Sequence, residues 1–164
     1  MPPRIGLGFD SHRLVAGTGF RLGGIEVQCD FAVDAHSDGD VLLHALVDAL
    51  FGAAGLGDIG DHFPNTNERW RDADSRLFVA ETMKRITEAG FTVGNVDANV
   101  FLDEPKLGPL KEAMLQNIAQ MLEVDPAVVS VKAKTLEGLG LRGDAPGLAA
   151  QAAVILHERE EREP

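Results

Sequence analysis

Three short stretches of the chain carry side chains able to do chemistry together. Asp10-Ser11-His12 follows the alternating run RIGLGF. Residues two apart on an extended segment point the same way, so Asp10 and His12 converge on one point. A carboxylate and an imidazole so placed suit Zn2+; a solvated surface turn would carry the same triplet. Next comes Ala35-His36-Ser37-Asp38-Gly39-Asp40, leading into a helical pattern that contains His44. His44 and Asp48 are four apart and share a helix face with Asp40. His44 is thus a candidate third metal ligand, with Asp48 placed to orient its other ring nitrogen; a half-buried histidine paired to a carboxylate is the plainer alternative. His36 and Ser37 fall at the predicted helix N-terminus, where backbone amides, an imidazole and a hydroxyl suit a phosphate. Simple capping by Ser37 is compatible with that. The third stretch, Lys132-Ala133-Lys134-Thr135-Leu136-Glu137-Gly138, reads as a strand entering a glycine turn. Its lysines suit phosphates and Glu137 suits Mg2+, although a charged edge strand would look alike.

The elements that must position these groups follow from periodicity. Residues 4–9 predict a first strand, and 20–28 two short extended pieces around Gly23-Gly24. Residues 38–55 predict a helix capped by Ser37, with Asp40 completing a capping-box-like pair. Leu43, Leu46, Val47, Leu50 and Phe51 form its apolar stripe. Residues 57–72 are rich in Gly, Pro, Asn and Asp and predict a long shaped loop. Helices are expected at 74–89 and at 107–122, the latter with Pro109 in its first turn. Strands are expected at 91–102, 129–134 and 147–157. The last is ambiguous: it is alanine-rich and helix-prone by propensity, while Leu148, Ala150, Ala152, Val154 and Leu156 alternate, and the strand reading draws in part on a family resemblance. The expected fold is α/β of the α+β type, one domain over 1–164 with a charged tail from about 158. Its mixed sheet has helices on one face. No helix remains for the second face, on which Val, Ala, Leu and Phe of 91–102, 129–134 and 147–157 are expected. Three such sheets can bury one another in a homotrimer.

Composition narrows the functional classes. The 164 residues suit one core. A net charge of -11 argues against a nucleic-acid-binding surface. An anionic substrate would need local cations. There is no apolar run of about 18 residues, so no membrane span is expected, and no secretory signal is recognisable at MPPRIGLGFD. The lone Cys29 allows no intrachain disulfide and fits a reducing, cytoplasmic compartment.

Taken together, D-x-H, H-S-D-G-D with a helix histidine, G-D-I-G and K-T-x-E form one ordered set. The chain resembles the 2-C-methyl-D-erythritol 2,4-cyclodiphosphate synthase family. The resemblance is most specific over AHSDGDVLLHALVDALFGAAGLGDIGDHFP, residues 35–64, and extends to GFDSHRL and to PKLGP at 105–109. It implies a small α/β homotrimer with active sites between adjacent subunits, under a flexible loop. The implied reaction is a phosphorus–oxygen lyase step of the non-mevalonate isoprenoid pathway. The 2-phosphate of a cytidine diphosphate-linked methylerythritol attacks the β-phosphorus, CMP leaves and a cyclic diphosphate forms. Two anions must be driven together, so the site needs cations more than a strong base.

The resemblance also implies roles. Asp10, His12 and His44 would be zinc ligands, and Glu137 would hold Mg2+ or Mn2+ between phosphates. His36 and Thr135 would assist at the transition state. Ser11 and Ser37 would contact substrate, as would Asp58, Ile59 and Gly60 at the methylerythritol and the loop residues Phe63, Pro64, Asn65, Thr66 and Asn67. Pro105, Lys106 and neighbouring backbone would enclose the cytidine, with a contact at Lys134, and Leu136 and Leu141 would also bind substrate. Asn65 and Asn67 stand where aspartate is common, and Lys134 where threonine is frequent. Relatives can hold an isoprenoid diphosphate on the trimer axis between aromatic residues and arginines. Here Phe9 matches one aromatic, Leu141 replaces the other and Asp144 replaces the arginine, with Arg142 two residues earlier. The expectation is that axial diphosphate binding is absent. Two other readings are a non-catalytic trimeric zinc- or nucleotide-binding scaffold and a zinc phosphohydrolase.

Overall fold

Two glycines decide how the fold comes together. In the computed structural model, which describes residues 2–35, 37–64, 66–70, 72–138 and 146–159, strand β1 (Arg4–Ala16) lies against helix α1 (Val41–Ala54). A Cβ on Gly6 would fall 1.8 Å from the Ala49 carbonyl oxygen, and one on Gly8 1.9 Å from that of Ala45. Only glycine lets the two backbones approach so closely. The alternation of β1 then gives each face one character. Gly6, Gly8, Asp10, His12 and Leu14 share the helix side, while Ile5, Leu7 and Phe9 are exposed on the other.

The remaining elements are β2 (Phe20–Leu22), β3 (Ile25–Val27), β4 (Phe31–Asp34), α2 (Ile59–His62), α3 (Ser75–Glu88), β5 (Phe91–Phe101), α4 (Lys111–Leu122), β6 (Val129–Lys134) and β7 (Gly147–Glu158). The main sheet has the order β4-β1-β7-β5-β6. Among the described residues only β5–β6 is parallel; β1 pairs antiparallel with β4 and β7, and β7 with β5. β2 and β3 form a separate hairpin. Helices α1, α3 and α4 lie over the sheet face that carries Val96, Ala98, Val100, Val131, Leu148, Val154 and Leu156, all buried. The mixed α+β architecture is therefore as expected.

Several local expectations change. β1 does not end at residue 9. It runs to Ala16 because β7 and then the short edge strand β4 continue its ladder, so Asp10 and His12 sit within a strand. β4 was not expected, since four residues give too little alternation to read. α1 begins later than expected and its cap is Asp40, not Ser37. Gly39 has φ 70°, which interrupts any helix upstream. The fully buried Asp40 carboxylate accepts from Leu43 N (3.1 Å) and also from Gly23 N (2.9 Å) and Gly24 N (2.8 Å), tying the hairpin to the helix start. Ser37 Oγ instead accepts from Gly39 N at 3.2 Å. α1 is buried nearly all round, not along a stripe, as suits a helix between a sheet and two other helices. The 57–72 loop contains α2, closed by a reciprocal Asp58–Asp61 capping box, and a 3-10 turn at Glu68–Trp70. A 3-10 turn at Gly108–Leu110 precedes α4.

The open face matches expectation only in part: by register Ala149, Ala153 and Phe101 lie on it, but no Val or Leu of β5, β6 or β7 does. Apolar valines and leucines of β5, β6 and β7 point to the helices. The open face carries Ile5, Leu7 and Phe9 with Ala149, Ala153 and Ile155 at one side, by strand register and alternation. At the other it carries Asp97, Asn99 and Lys132, with a Lys132–Asp97 ion pair at 2.7 Å. No helix among the described residues is long and apolar enough to cross a membrane.

Candidate active site

The glycine contact continues directly into the site. Along β1 the next helix-facing positions after Gly8 are Asp10 and His12, and the α1 residue beside Ala45 is His44. One ligand atom from each lies within 4.8 Å of the others. Asp10 Oδ2 is 3.0 Å from His44 Nδ1 and 3.2 Å from His12 Nε2. Burial favours the neutral Asp10 carboxyl, but the two imidazoles outweigh it and hold Asp10 well below the usual carboxylate range. For His44, burial opposes the charged ring, yet the bond to Asp10 and its charge win, so the pKa is raised above 6.5.

This donor set fits a metal ion. Two imidazole nitrogens and one carboxylate oxygen are the mixture of a catalytic Zn2+ site that keeps a position open. His12 Nε2 is enclosed and makes no hydrogen bond, an orphaned polar atom that a cation would satisfy. The three groups line a cleft of about 640 Å3 with Ala35, Ser37, Ile59, Gly60, Asp72 and an aromatic wall of Phe63, Trp70 and Phe78. Phe63 lies 4.9 Å from both Trp70 and Phe78, centre to centre.

Two sequence readings are corrected here. Asp48 does not orient His44; its Oδ1 accepts from Ile59 N at 2.8 Å and so anchors α2 to α1. His44 Nε2 meets Ser75 Oγ instead, at 2.8 Å. Nor is the α1 N-terminus a phosphate cradle, because the buried Asp40 carboxylate occupies it. Ser37 lines the metal cleft four residues upstream of the helix.

Thr135 and Glu137 line a second cleft, of about 480 Å3, with Leu14, Phe31, Leu102, Asp103, Glu104, Lys106, Gly138, Pro146 and Gly147. The Thr135 hydroxyl donates to Glu137 Oε1. Asp103 Oδ1 accepts from Leu136 N at 2.7 Å, and Lys106 Nζ donates to the Asp103 carbonyl at 3.1 Å, so this cleft is braced between two loops. The two clefts share no lining residue. Asp58 caps α2 beside the first cleft, and Asn67 Oδ1 accepts from Arg69 N at 3.0 Å. Ser11, Pro64, Thr66, Asn67, Pro105, Lys134 and Leu136 line neither cleft. His36, Asn65, Leu141, Arg142 and Asp144 lie outside the described residues, and with them most of the axial-cavity expectation. Phe9 is 56 % exposed on the open face. Sequence reasoning missed Trp70, Phe78, Ser75 and Asp103, none of which sits in a readable motif; Asp-Ser at 74–75 looks like an ordinary helix start.

An α+β domain with an open Asp-His-His donor set at a strand–helix junction, beside a separate hydroxyl–carboxylate cleft, defines a class of chain with a candidate metal site. The YgbB family model matches residues 3–157, and the chain belongs to that family. It is 50 % identical over 163 residues to 2-C-methyl-D-erythritol 2,4-cyclodiphosphate synthase of Ralstonia nicotianae, covering 99 % of this chain and 97 % of the relative. It is 51 % identical to the enzyme of that name from Salinibacter ruber, covering 93 % and 98 %. Other relatives are longer: the chain spans 40 % of a bifunctional enzyme IspD/IspF of Erythrobacter litoralis at 48 % identity. A solved 2C-methyl-D-erythritol-2,4-cyclodiphosphate synthase superposes with a TM-score of 0.87 at 39 % identity, covering 94 % of this chain and all of that one. A CDP-bound form of such a synthase matches with the same TM-score at 38 % identity, again covering 94 % of this chain and all of that one.

Proposed function

We propose that this chain converts 4-diphosphocytidyl-2-C-methyl-D-erythritol 2-phosphate to 2-C-methyl-D-erythritol 2,4-cyclodiphosphate and CMP, as one cytoplasmic cyclodiphosphate-synthase-like domain over 1–164. The observation that carries the reading is the Asp10–His12–His44 donor set, with its orphaned His12 nitrogen. It lies in a chain whose relatives of matching length bear that enzyme name.

Asp10, His12 and His44 hold Zn2+, and Glu137 holds Mg2+ or Mn2+ with the substrate phosphates. When bound, the cations neutralise phosphate charge and favour in-line geometry. The rest is done by the chain itself. Ser37 and His36 contact the phosphates, and Asp58, Ile59 and Gly60 hold the methylerythritol. Thr135 and His36 support charge developing at the transition state. Pro105, Lys106 and neighbouring backbone enclose the cytidine, with a contact at Lys134, and Leu136 and Leu141 also bind substrate. The aromatic wall of Phe63, Trp70 and Phe78 excludes water, which would otherwise hydrolyse the reactive phosphates. The 2-phosphate is ionised at neutral pH, so no general base is required. The functional unit is a homotrimer with shared sites. Two features support it: the predicted site residues divide between two clefts, and Ile5, Leu7 and Phe9 are exposed on one face.

Phosphorus NMR of the reaction with the cytidine substrate tests the proposal. Cyclic diphosphate plus CMP is the expected outcome. Hydrolysis products would reveal a phosphohydrolase, and no turnover by the metal-loaded protein a scaffold.

A further inference from the structure

The groups behind His44 have a direction. Ser75 is the first residue of α3 and is fully buried. Its Oγ lies between His44 Nε2, at 2.8 Å, and Asp38 Oδ1, with which it makes a short hydrogen bond. Asp38 Oδ2 accepts from Ser75 N at 2.8 Å, and Oδ1 also accepts from Asp40 N at 3.3 Å. A carboxylate only accepts, so the hydroxyl proton of Ser75 goes to Asp38. The oxygen then offers His44 nothing but lone pairs, so Nε2 must carry the proton and donate it. A neutral ring protonated at Nε2 has its lone pair on Nδ1, the atom that faces Asp10 Oδ2 at 3.0 Å.

We propose that Asp38 and Ser75 are positioning residues that keep the His44 proton on Nε2 and so present Nδ1 as a metal donor. This rests on the reading of Asp10, His12 and His44 as a metal centre. The bias has an opponent: from the other side, Asp10 draws a proton to Nδ1. Asp38, acting through Ser75, sets the contrary pull, and a cation arriving between Asp10 and His12 finds an imidazole whose second nitrogen already has its partner. The buried Ser75 hydroxyl thus has a task in the site beyond starting a helix.

The direction of the chain makes a distinctive test. In Asp38→Asn the amide is isosteric, and either orientation sets its NH2 against one backbone N–H. Placing it at the Oδ1 position forfeits only the 3.3 Å bond from Asp40 N and keeps the 2.8 Å bond from Ser75 N. The amide then donates to Ser75, whose hydroxyl turns to donate to Nε2, and the ring keeps its proton on Nδ1. Ser75→Ala merely removes the partner and leaves the ring free. Zinc affinity is measured by competition with a chromophoric chelator, on variants whose fold is checked by circular dichroism. We expect a loss of about 100-fold in Asp38→Asn and about 10-fold in Ser75→Ala, the span known for groups behind a metal ligand. In the metal-free protein, at a pH above the raised His44 pKa so that the ring is neutral, nitrogen-15 spectra of His44 should move toward the Nδ1–H form in Asp38→Asn relative to the native chain, a shift that a purely structural role would not give. An unchanged tautomer in Asp38→Asn overturns the inference, and so does zinc binding at native affinity by both variants. A native chain that binds no zinc would refute the metal centre instead, while the nitrogen-15 comparison still decides the tautomer. Should Asp38→Asn fail to fold, native zinc affinity in Ser75→Ala overturns the inference on its own.

Discussion

Gly8→Ala is the smallest change that should dismantle the site without touching any candidate ligand. The added Cβ would lie 1.9 Å from the Ala45 carbonyl oxygen and 2.8 Å from both Ala45 C and Ala49 N. These are backbone atoms of α1 and cannot rotate aside. Ordinary contact begins near 3.4 Å, so helix and strand must part by about 1.5 Å at this level. Overpacking commonly costs 1–3 kcal/mol, and a clash with rigid backbone belongs at the upper end, at about 3 kcal/mol. The effect on the site is larger than that figure suggests. His44 adjoins Ala45 on the displaced helix, and metal–ligand distances tolerate only about 0.2 Å. Urea unfolding should therefore show the stability loss, and chelator competition a metal affinity reduced by at least about 100-fold. Gly108→Ala, where nothing lies within 4 Å, should stay within about 0.5 kcal/mol of the native chain in the same assay. A Gly8→Ala protein with native stability and native metal affinity would refute the argument that the glycine contact sets the site.

His44→Ala should abolish cyclisation and strip most of the zinc; full metal occupancy with normal turnover would sink the ligand assignment. Acid should weaken metal binding from above pH 6.5 downward, because His44 is protonated there while Asp10 stays ionised. In the metal-free protein the raised His44 pKa has the opposite sign: its contribution to stability is full below pH 6.5 and is lost as pH rises through the folded value. Chelator titrations and unfolding curves at pH 5.5 and 8 should thus move in contrary directions, and parallel trends would contradict the reading. Asp40→Asn leaves at least one of the amides of Gly23, Gly24 and Leu43 without an acceptor and should cost about 1–3 kcal/mol in urea. Leu7→Lys, on the exposed apolar row, should convert the proposed trimer to monomer by light scattering and abolish activity; a native chain that is a stable, active monomer would refute shared sites.

Periodicity exposed the long elements well, because α1, α3, β5 and β6 repeat their apolar residues over enough positions to average out local noise; β7 was ambiguous between its helix-prone alanines and its alternation, and the resemblance decided it. Spacing made Asp10, His12 and His44 candidates for one donor set, two residues apart on a strand and one on a helix, but a surface turn and a paired histidine fitted as well, and the resemblance singled them out; the three do come together. What stayed hidden depends on tertiary geometry. Nothing in S-D-G-D says that Gly39 takes a positive φ and moves the cap to Asp40, or that this carboxylate reaches back to Gly23 and Gly24. Ser75 was unreadable because its partners are 31 and 37 residues away. The Val and Leu of the open face were misplaced because alternation reveals that a strand has two sides without revealing which one the helices cover. Gly6 and Gly8 held that answer, since only the helix side needs missing side chains.

β1 also constrains how such a chain can vary over generations. Its odd positions, Ile5, Leu7 and Phe9, and its even positions, Gly6, Gly8, Asp10 and His12, are interleaved letter by letter. Point changes can drift on either row separately. A single inserted or deleted codon cannot be absorbed, because it would exchange the rows beyond it, turning bulky residues onto α1 and the ligands onto the bare face. Length variation in this strand should therefore be purged far more strictly than substitution, and in descendants the spacing from Gly6 to His12 should outlast most of the residues between them.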